Sequence, residues 1–182
     1  MARAPAALAE AEALPEADCL EGFSHPRFTP RLFGQDAAEH VLHDALGSDR
    51  MHHAWLLTGR EGIGKATLAY RVAKAALARA DERDLFGSSL DIDAATATAH
   101  QVGALSHPGL LLLRRVYESK GKRFHASISV DEVRRLRGFL SLSAEAGSRR
   151  VVIVDSADEM NLNAANALLK SLEEPPARTI FL

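Results

Sequence analysis

Ala54-Trp55-Leu56-Leu57-Thr58-Gly59-Arg60-Glu61-Gly62-Ile63-Gly64-Lys65-Ala66-Thr67 is the stretch on which the reading of this chain turns. It opens as a short apolar strand, predicted over Ala54–Thr58. Glycines follow at 59, 62 and 64, and a helix is predicted from Lys65 to about Ala80, with Leu68, Val72, Ala75 and Ala76 on one side. Strand, glycine turn and helix frame the pattern G-x-x-x-x-G-K, in which Gly59, Gly64 and Lys65 match. Glycines allow backbone angles that turn several N–H groups inward around phosphate. The helix N-terminus adds partial positive charge, and Lys65 places a cation on the outer phosphates. The pattern ends with Ser or Thr, whose hydroxyl binds magnesium. Here that residue is Ala66, which has no ligand atom. Thr67 is one helical step further on, turned by about 100°. Phosphate binding is therefore expected to survive while magnesium coordination weakens.

A second strand completes the site. Val151-Val152-Ile153-Val154-Asp155 is four apolar residues and then an acid. An Asp at such a strand end orients magnesium through its water shell. In active ATPases of this type a Glu follows, to polarise the attacking water; here it is Ser156, a poor general base. Ala66 and Ser156 strike the same chemical step, and together they point to a site released from the need to hydrolyse. Asp158 and Glu159 are expected to lie on the turn beyond the strand and to point elsewhere.

The remaining chain repeats the strand–helix alternation. A helix is predicted over Gln35–Leu46, and the run Leu110–Leu113 reads as a strand buried on both faces. Ser127–Val130 is expected to pair at a sheet edge, with Asp131 capping the helix behind it. Another helix, Ala164 to Glu173, stops before Pro175 and Pro176. Residues 81–107 look least structured, an insertion or a loop with a short helix. The fold class expected is α/β: a parallel sheet with helices on both faces. Thr179–Leu182 reads as the start of a buried strand, so the chain is expected to be the N-terminal piece of a longer protein. Residues 1–24, rich in Ala and Glu, are expected to form a flexible tail, and 25–182 one nucleotide-binding domain truncated at its C-terminal end.

Bulk properties limit the alternatives. A chain of 182 residues that is 47% hydrophobic and 25% charged suits one globular domain. Its net charge of -2 gives no overall attraction to nucleic acid or membrane, so any polyanion site must be a local patch. No apolar run approaches the roughly 20 residues that span a bilayer. One cysteine, Cys19, excludes an internal disulfide and a four-cysteine zinc site, and suits a reducing cytoplasm.

The segment Asn163-Ala164-Ala165-Asn166-Ala167-Leu168-Leu169-Lys170-Ser171-Leu172-Glu173-Glu174-Pro175-Pro176 closely resembles a signature of bacterial clamp-loader subunits, AAA+ proteins that place the sliding clamp on primed DNA. His53 to Leu57, Phe33-Gly34-Gln35 and Ser106-His107-Pro108 fit the same family. The resemblance covers about residues 25–182. It implies a P-loop NTPase (AAA+) domain with Gly59, Gly62, Gly64, Lys65, Ala66, Thr67 and Asp155 around the nucleotide. It also implies ATP or ADP as ligand, magnesium held weakly through Asp155 and Thr67, and gamma/tau and delta subunits, the clamp and primed DNA as partners. Two kinds of subunit share this domain. The gamma/tau motor carries the hydroxyl and the Glu missing here, so Ala66 and Ser156 favour the delta-prime kind, with no catalytic residue assigned. The family's four-cysteine zinc module has no counterpart near residues 80–105, and its Ser-Arg-Cys motif would lie beyond Leu182.

Basic residues form two groups. The resemblance lets Arg134, Arg135 and Arg137 hold DNA phosphates, but a solvated helix face balanced by Glu132 and Glu145 is the preferred reading for most of them. Lys120, Lys122 and Arg123 are the second group. An active AAA+ ATPase remains the alternative function; a small-molecule kinase ranks last, because the Leu-Glu-Glu-Pro-Pro helix offers no substrate logic.

Overall fold

Val151 and Ile153 pack on one face of a sheet and Val152 on the other, and helices cover both faces. This computed structural model describes residues 14–20, 22–48, 51–83, 89–141 and 148–182. Helix α1 (Asp36–Gly47) precedes the glycine loop and α2 (Lys65–Leu77) follows it. A short helix, α3 (Ala97–Gly103), stands before strand β1 (Leu110–Arg114). The two-residue strands β2 (Tyr117–Glu118) and β3 (Arg123–Phe124) form an antiparallel hairpin. Helix α4 (Val130–Ser141), strand β4 (Arg150–Asp155), helix α5 (Leu162–Glu173) and strand β5 (Thr179–Phe181) complete the chain.

The sheet is parallel, in the order β1-β4-β5. Beyond β5 lies the segment leading into the glycine loop. It touches the sheet through a parallel bridge from Ala54 to Phe181, with Trp55 N donating to Phe181 O at 2.9 Å and Phe181 N to His53 O at 2.7 Å. The strand predicted over 54–58 is thus reduced to a bridge at its first residue. Leu56 and Thr58 are exposed there, so little apolar burial holds them in a ladder.

Sequence periodicity explains the layers. Ala69, Tyr70, Ala73, Ala76 and Leu77 of α2 pack with Leu110, Val151, Ile153 and Ile180. The opposite face joins Leu111, Leu113, Val152 and Phe181 to Val133, Leu136 and Phe139 of α4 and to Ala164 and Leu168 of α5. Leu42 of α1 meets Leu68, Val72 and Ala75 on the far side of α2. The doubly buried reading of Leu110–Leu113 is borne out, as are the layers on both faces.

One local alternative is settled and two readings change. Within residues 81–107, α3 forms because Thr96 accepts a hydrogen bond from Ala99 N at 3.2 Å and Ala99 and Val102 are buried. Helix α4 begins one residue before Asp131. Ser129 takes the capping role, its hydroxyl accepting from Glu132 N at 3.4 Å, and only Ile128 of the expected edge strand bridges, to Met160. Order also begins before His25: residues 14–20 lie on the domain, with Glu16 and Asp18 in ion pairs, while the first 13 residues fall outside the described chain.

Candidate nucleotide site

Backbone conformation shapes the loop. Gly59 (φ 146°), Gly62 (φ 77°) and Gly64 (φ 103°) all adopt angles that side chains resist. At Gly64, immediately before α2, a Cβ would also collide with the Leu32 side chain. Gln35 Nε2 donates to Ile63 O at 3.4 Å, so the chain before α1 braces the loop. Lys65 Nζ donates to Gly59 O at 2.9 Å and Arg60 O at 3.0 Å. The ammonium therefore sits within the loop, on acceptors that phosphate oxygens can replace.

A cavity of about 570 Å³ adjoins the loop and reaches the end of β4. Gly59, Lys65, Ala66, Asp155, Ser156 and Asp158 all line it. The fold thus brings together the two stretches on which the sequence reading rested. Ala66 offers a methyl group to the cavity and Ser156 a hydroxyl. Thr67 is buried, 7% exposed, and is not among the lining residues. Gly62 and Gly64 shape the loop without lining the cavity. Glu159 points away, to Arg115 Nε at 2.7 Å, as expected. Asp158 does not: it lines the cavity, because a short 3-10 turn over Ala157–Glu159 folds it back.

Asp155 is pushed up from 3.8 to about 6, first by burial and then by the negative charges of Asp18 and Glu159; His25 and Lys65 oppose the rise. Asp18 reaches this neighbourhood because Arg114, in register with Asp155 at the end of β1, binds it. Asp18 Oδ2 also accepts from Tyr70 Oη of α2 at 3.0 Å and lies 3.1 Å from His25 Nε2. Glu16 pairs with His25, Arg27 and Arg114. The three potential ligand groups Glu16, Asp18 and His25 are close together, but two arginines already neutralise the carboxylates. Reading along the chain missed this cluster. Its one signal was the alternation Glu16-Ala17-Asp18 inside an otherwise alanine-rich tail.

The basic residues assigned to DNA are mostly engaged locally. Arg134 pairs with Asp131 at 2.7 Å and Arg135 with Glu132 at 2.6 Å, each three residues apart on exposed helix. Arg137 is exposed. Glu145, the other expected counter-charge, lies outside the described residues.

For phosphate the residues fit: a loop of positive-φ glycines leads into the start of α2, and Gly59 and Lys65 line the adjoining cavity. For magnesium they fit poorly. Asp155 lines the cavity, but Ala66 carries no oxygen and Thr67 is buried away from it.

Comparison with known proteins shows the family. The chain is 39% identical over 145 residues to DNA polymerase III subunit delta' of Pseudomonas aeruginosa, covering 79% of this chain and 40% of that protein. It is 25% identical over 172 residues to DNA polymerase III subunit gamma of Buchnera aphidicola, covering 86% of this chain and 39% of that one. A solved structure of a DNA polymerase III gamma subunit-related protein from Thermotoga maritima aligns with a TM-score of 0.33 and 28% identity, over 44% of this chain and 27% of that one. The chain spans about 40% of the length of the curated relatives named here. A family profile described as "DNA polymerase III, delta subunit" matches residues 34–182, and the chain belongs to that family.

Proposed function

We propose that this chain is a delta-prime-like subunit of a clamp-loader complex, with a site that holds ATP or ADP and does not turn it over. In this role it sits in the cytoplasm beside gamma/tau and delta subunits and helps place the sliding clamp on primed DNA. The observation that carries the reading is the cavity lining. Lys65 and Asp155 are there, while Ala66 and Ser156 occupy the two positions where hydrolysis needs a metal-binding hydroxyl and a base.

Binding asks little of the domain. Lys65 exchanges the carbonyls of Gly59 and Arg60 for phosphate oxygens, and the positive-φ glycines already hold the loop in a tight turn. Bound magnesium would neutralise phosphate charge, with Asp155 as its protein contact. Ser156 cannot take a proton from water near neutral pH. Such a domain acts as a fixed member of a ring and presents a surface to a neighbour's nucleotide.

A second reading has one observation in its favour. Asp158 lines the cavity and is a carboxylate where Ser156 is not, so it can stand in as the base of a working ATPase.

Turnover by the full-length protein, alone and with primed DNA, separates the two. The proposal expects no turnover above a Lys65→Ala control. It expects nucleotide binding that Lys65→Ala weakens roughly tenfold or more, the scale of one charged hydrogen bond. Turnover should appear when Ala66→Thr and Ser156→Glu are combined. Wild-type turnover lost in Asp158→Asn would overturn the proposal in favour of the ATPase.

A further inference from the structure

The hairpin of β2 and β3 takes no part in the nucleotide site, yet it carries three exposed basic residues within four positions, Lys120, Lys122 and Arg123. Its tip reads Glu118-Ser119-Lys120-Gly121-Lys122-Arg123. Residues 119–123 are all exposed. Lys120 and Lys122 appear in no ion pair among the described residues. The one local acid, Glu118, lies 3.5 Å from Arg123 Nε and closes over Gly121, where a Cβ would meet Glu118 Oε2 at 2.7 Å. With Arg123 and Glu118 folded together across the turn, the unpaired charge of the tip is that of two ammonium groups, one on each side of Gly121.

The base of the hairpin is fixed. Tyr117 and Phe124 meet edge to face, with ring centroids 5.2 Å apart. Arg115 lies over the Phe124 ring at 5.7 Å and pairs with Glu159, which ties the hairpin to the turn after β4. His125 N donates to Val116 O at 2.9 Å and continues the pairing below. A braced two-stranded ribbon with a cationic, non-aromatic, non-apolar tip has no use in a core. Its lysines would lose entropy and hydration in a tight protein contact. A phosphate backbone makes neither demand, because ammonium groups bind it while staying partly hydrated.

We infer that the β2–β3 hairpin is a nucleic-acid contact, with Lys120 and Lys122 binding backbone phosphates of duplex DNA. A two-stranded ribbon is narrow enough to enter a major groove about 12 Å wide. No side chain at the tip presents the planar two-donor or two-acceptor pattern that reads a base edge, since Arg123 is taken by Glu118. The contact is therefore independent of sequence and sensitive to salt. It rests on the reading of the chain as a clamp-loader subunit, but on a different surface from the nucleotide site. By contrast, Arg134 and Arg135 on α4 already have carboxylate partners.

The test uses the full-length subunit assembled with gamma and delta, and a fluorescent primed duplex titrated at several salt concentrations. Assembly is measured first, by gel filtration; its absence in the wild type would sink the clamp-loader reading, and the hairpin contact with it. In the assembled complex, Lys120→Ala/Lys122→Ala should reduce the slope of log affinity against log salt by about 0.9 per lysine, or about 1.8 together. It should weaken binding equally for unrelated duplex sequences. Lys170→Ala, an exposed lysine on α5, serves as the charge control and should leave the slope unchanged. An unchanged slope in the double variant, with assembly intact, overturns the hairpin contact and leaves the clamp-loader reading standing. Loss of assembly in the double variant, with wild-type DNA affinity in the complexes that remain, assigns the tip to an acidic protein surface and also overturns it.

Discussion

Asp18 shows how much one side chain can bind together. Its carboxylate holds Arg114 of β1, Tyr70 of α2 and His25, three elements far apart in the chain. Burial alone would raise its pKa, but the hydrogen bond with His25 and the charge of Arg114 outweigh burial and hold it at about 2. The Tyr70 hydroxyl is pushed up by burial and by Asp18, so it remains the donor. A carboxyl depressed below its unfolded value of 3.8 stabilises the fold above that pH and loses its contribution as pH falls toward 2. Asp18→Asn leaves Arg114 short of a counter-charge and is expected to cost roughly 2–4 kcal/mol at pH 7. Urea unfolding should show the deficit at pH 7 and a smaller one at pH 3. Glu16 also sits at about 2: burial raises it, and the bonds from Arg27 and Arg114 lower it further. Acid unfolding should therefore begin near pH 4 and detach residues 14–20 with it.

Helices in this protein depend on short caps where their sequences are weak. Helix α5 opens at Leu162, two residues earlier than its apolar pattern indicates, because Asn161 Oδ1 accepts from Ala164 N at 2.8 Å. Removing that acceptor in Asn161→Ala is expected to cost about 1 kcal/mol, read as a lower midpoint in urea with unchanged slope. The same logic moved the start of α4. Asp131 and Ser129 are equally good capping residues by type, but Ser129 stands three residues before Glu132 and owns the geometry. Asp131 turns instead to Arg134, one turn along the helix. Capping is decided by where the preceding chain enters, and Ile128, bridged to Met160, sets that entry.

At the scale of the whole molecule, the sheet separates two cores that must both be filled. Leu113 is fully buried beneath α4 and α5, on the face away from α2. Leu113→Ala should cost about 2–5 kcal/mol, the range for truncating a core leucine. The loop around Lys65 rests on the other face, so nucleotide affinity measured well below the melting point should be unchanged. A parallel loss of affinity would mean that the two faces are coupled through the sheet. The spatial order also matters for the site. The segment before the loop lies next to β5, not β4, so Lys65 and Asp155 meet across an intervening strand.

Much of this was legible along the chain. Apolar runs at Leu110 and Val151, helical spacing after Lys65 and the three glycines are local patterns, and local sterics and side-chain alternation convert them directly into strand, helix and turn. The identities of Ala66 and Ser156 were equally plain, since a missing hydroxyl at one and a missing carboxylate at the other are read directly from the residues. What the sequence could not reveal was partnership. Glu16 and Arg114 are separated by 98 positions, so the anchoring of residues 14–20 appears only when the sheet brings the end of β1 beside them. Asp158 joins the cavity through one short turn, and Leu56 leaves the strand because little apolar surface covers it. Local periodicity determines which element forms; the choice of neighbours, charges and cavity walls is set by packing between elements, and that is decided only in three dimensions.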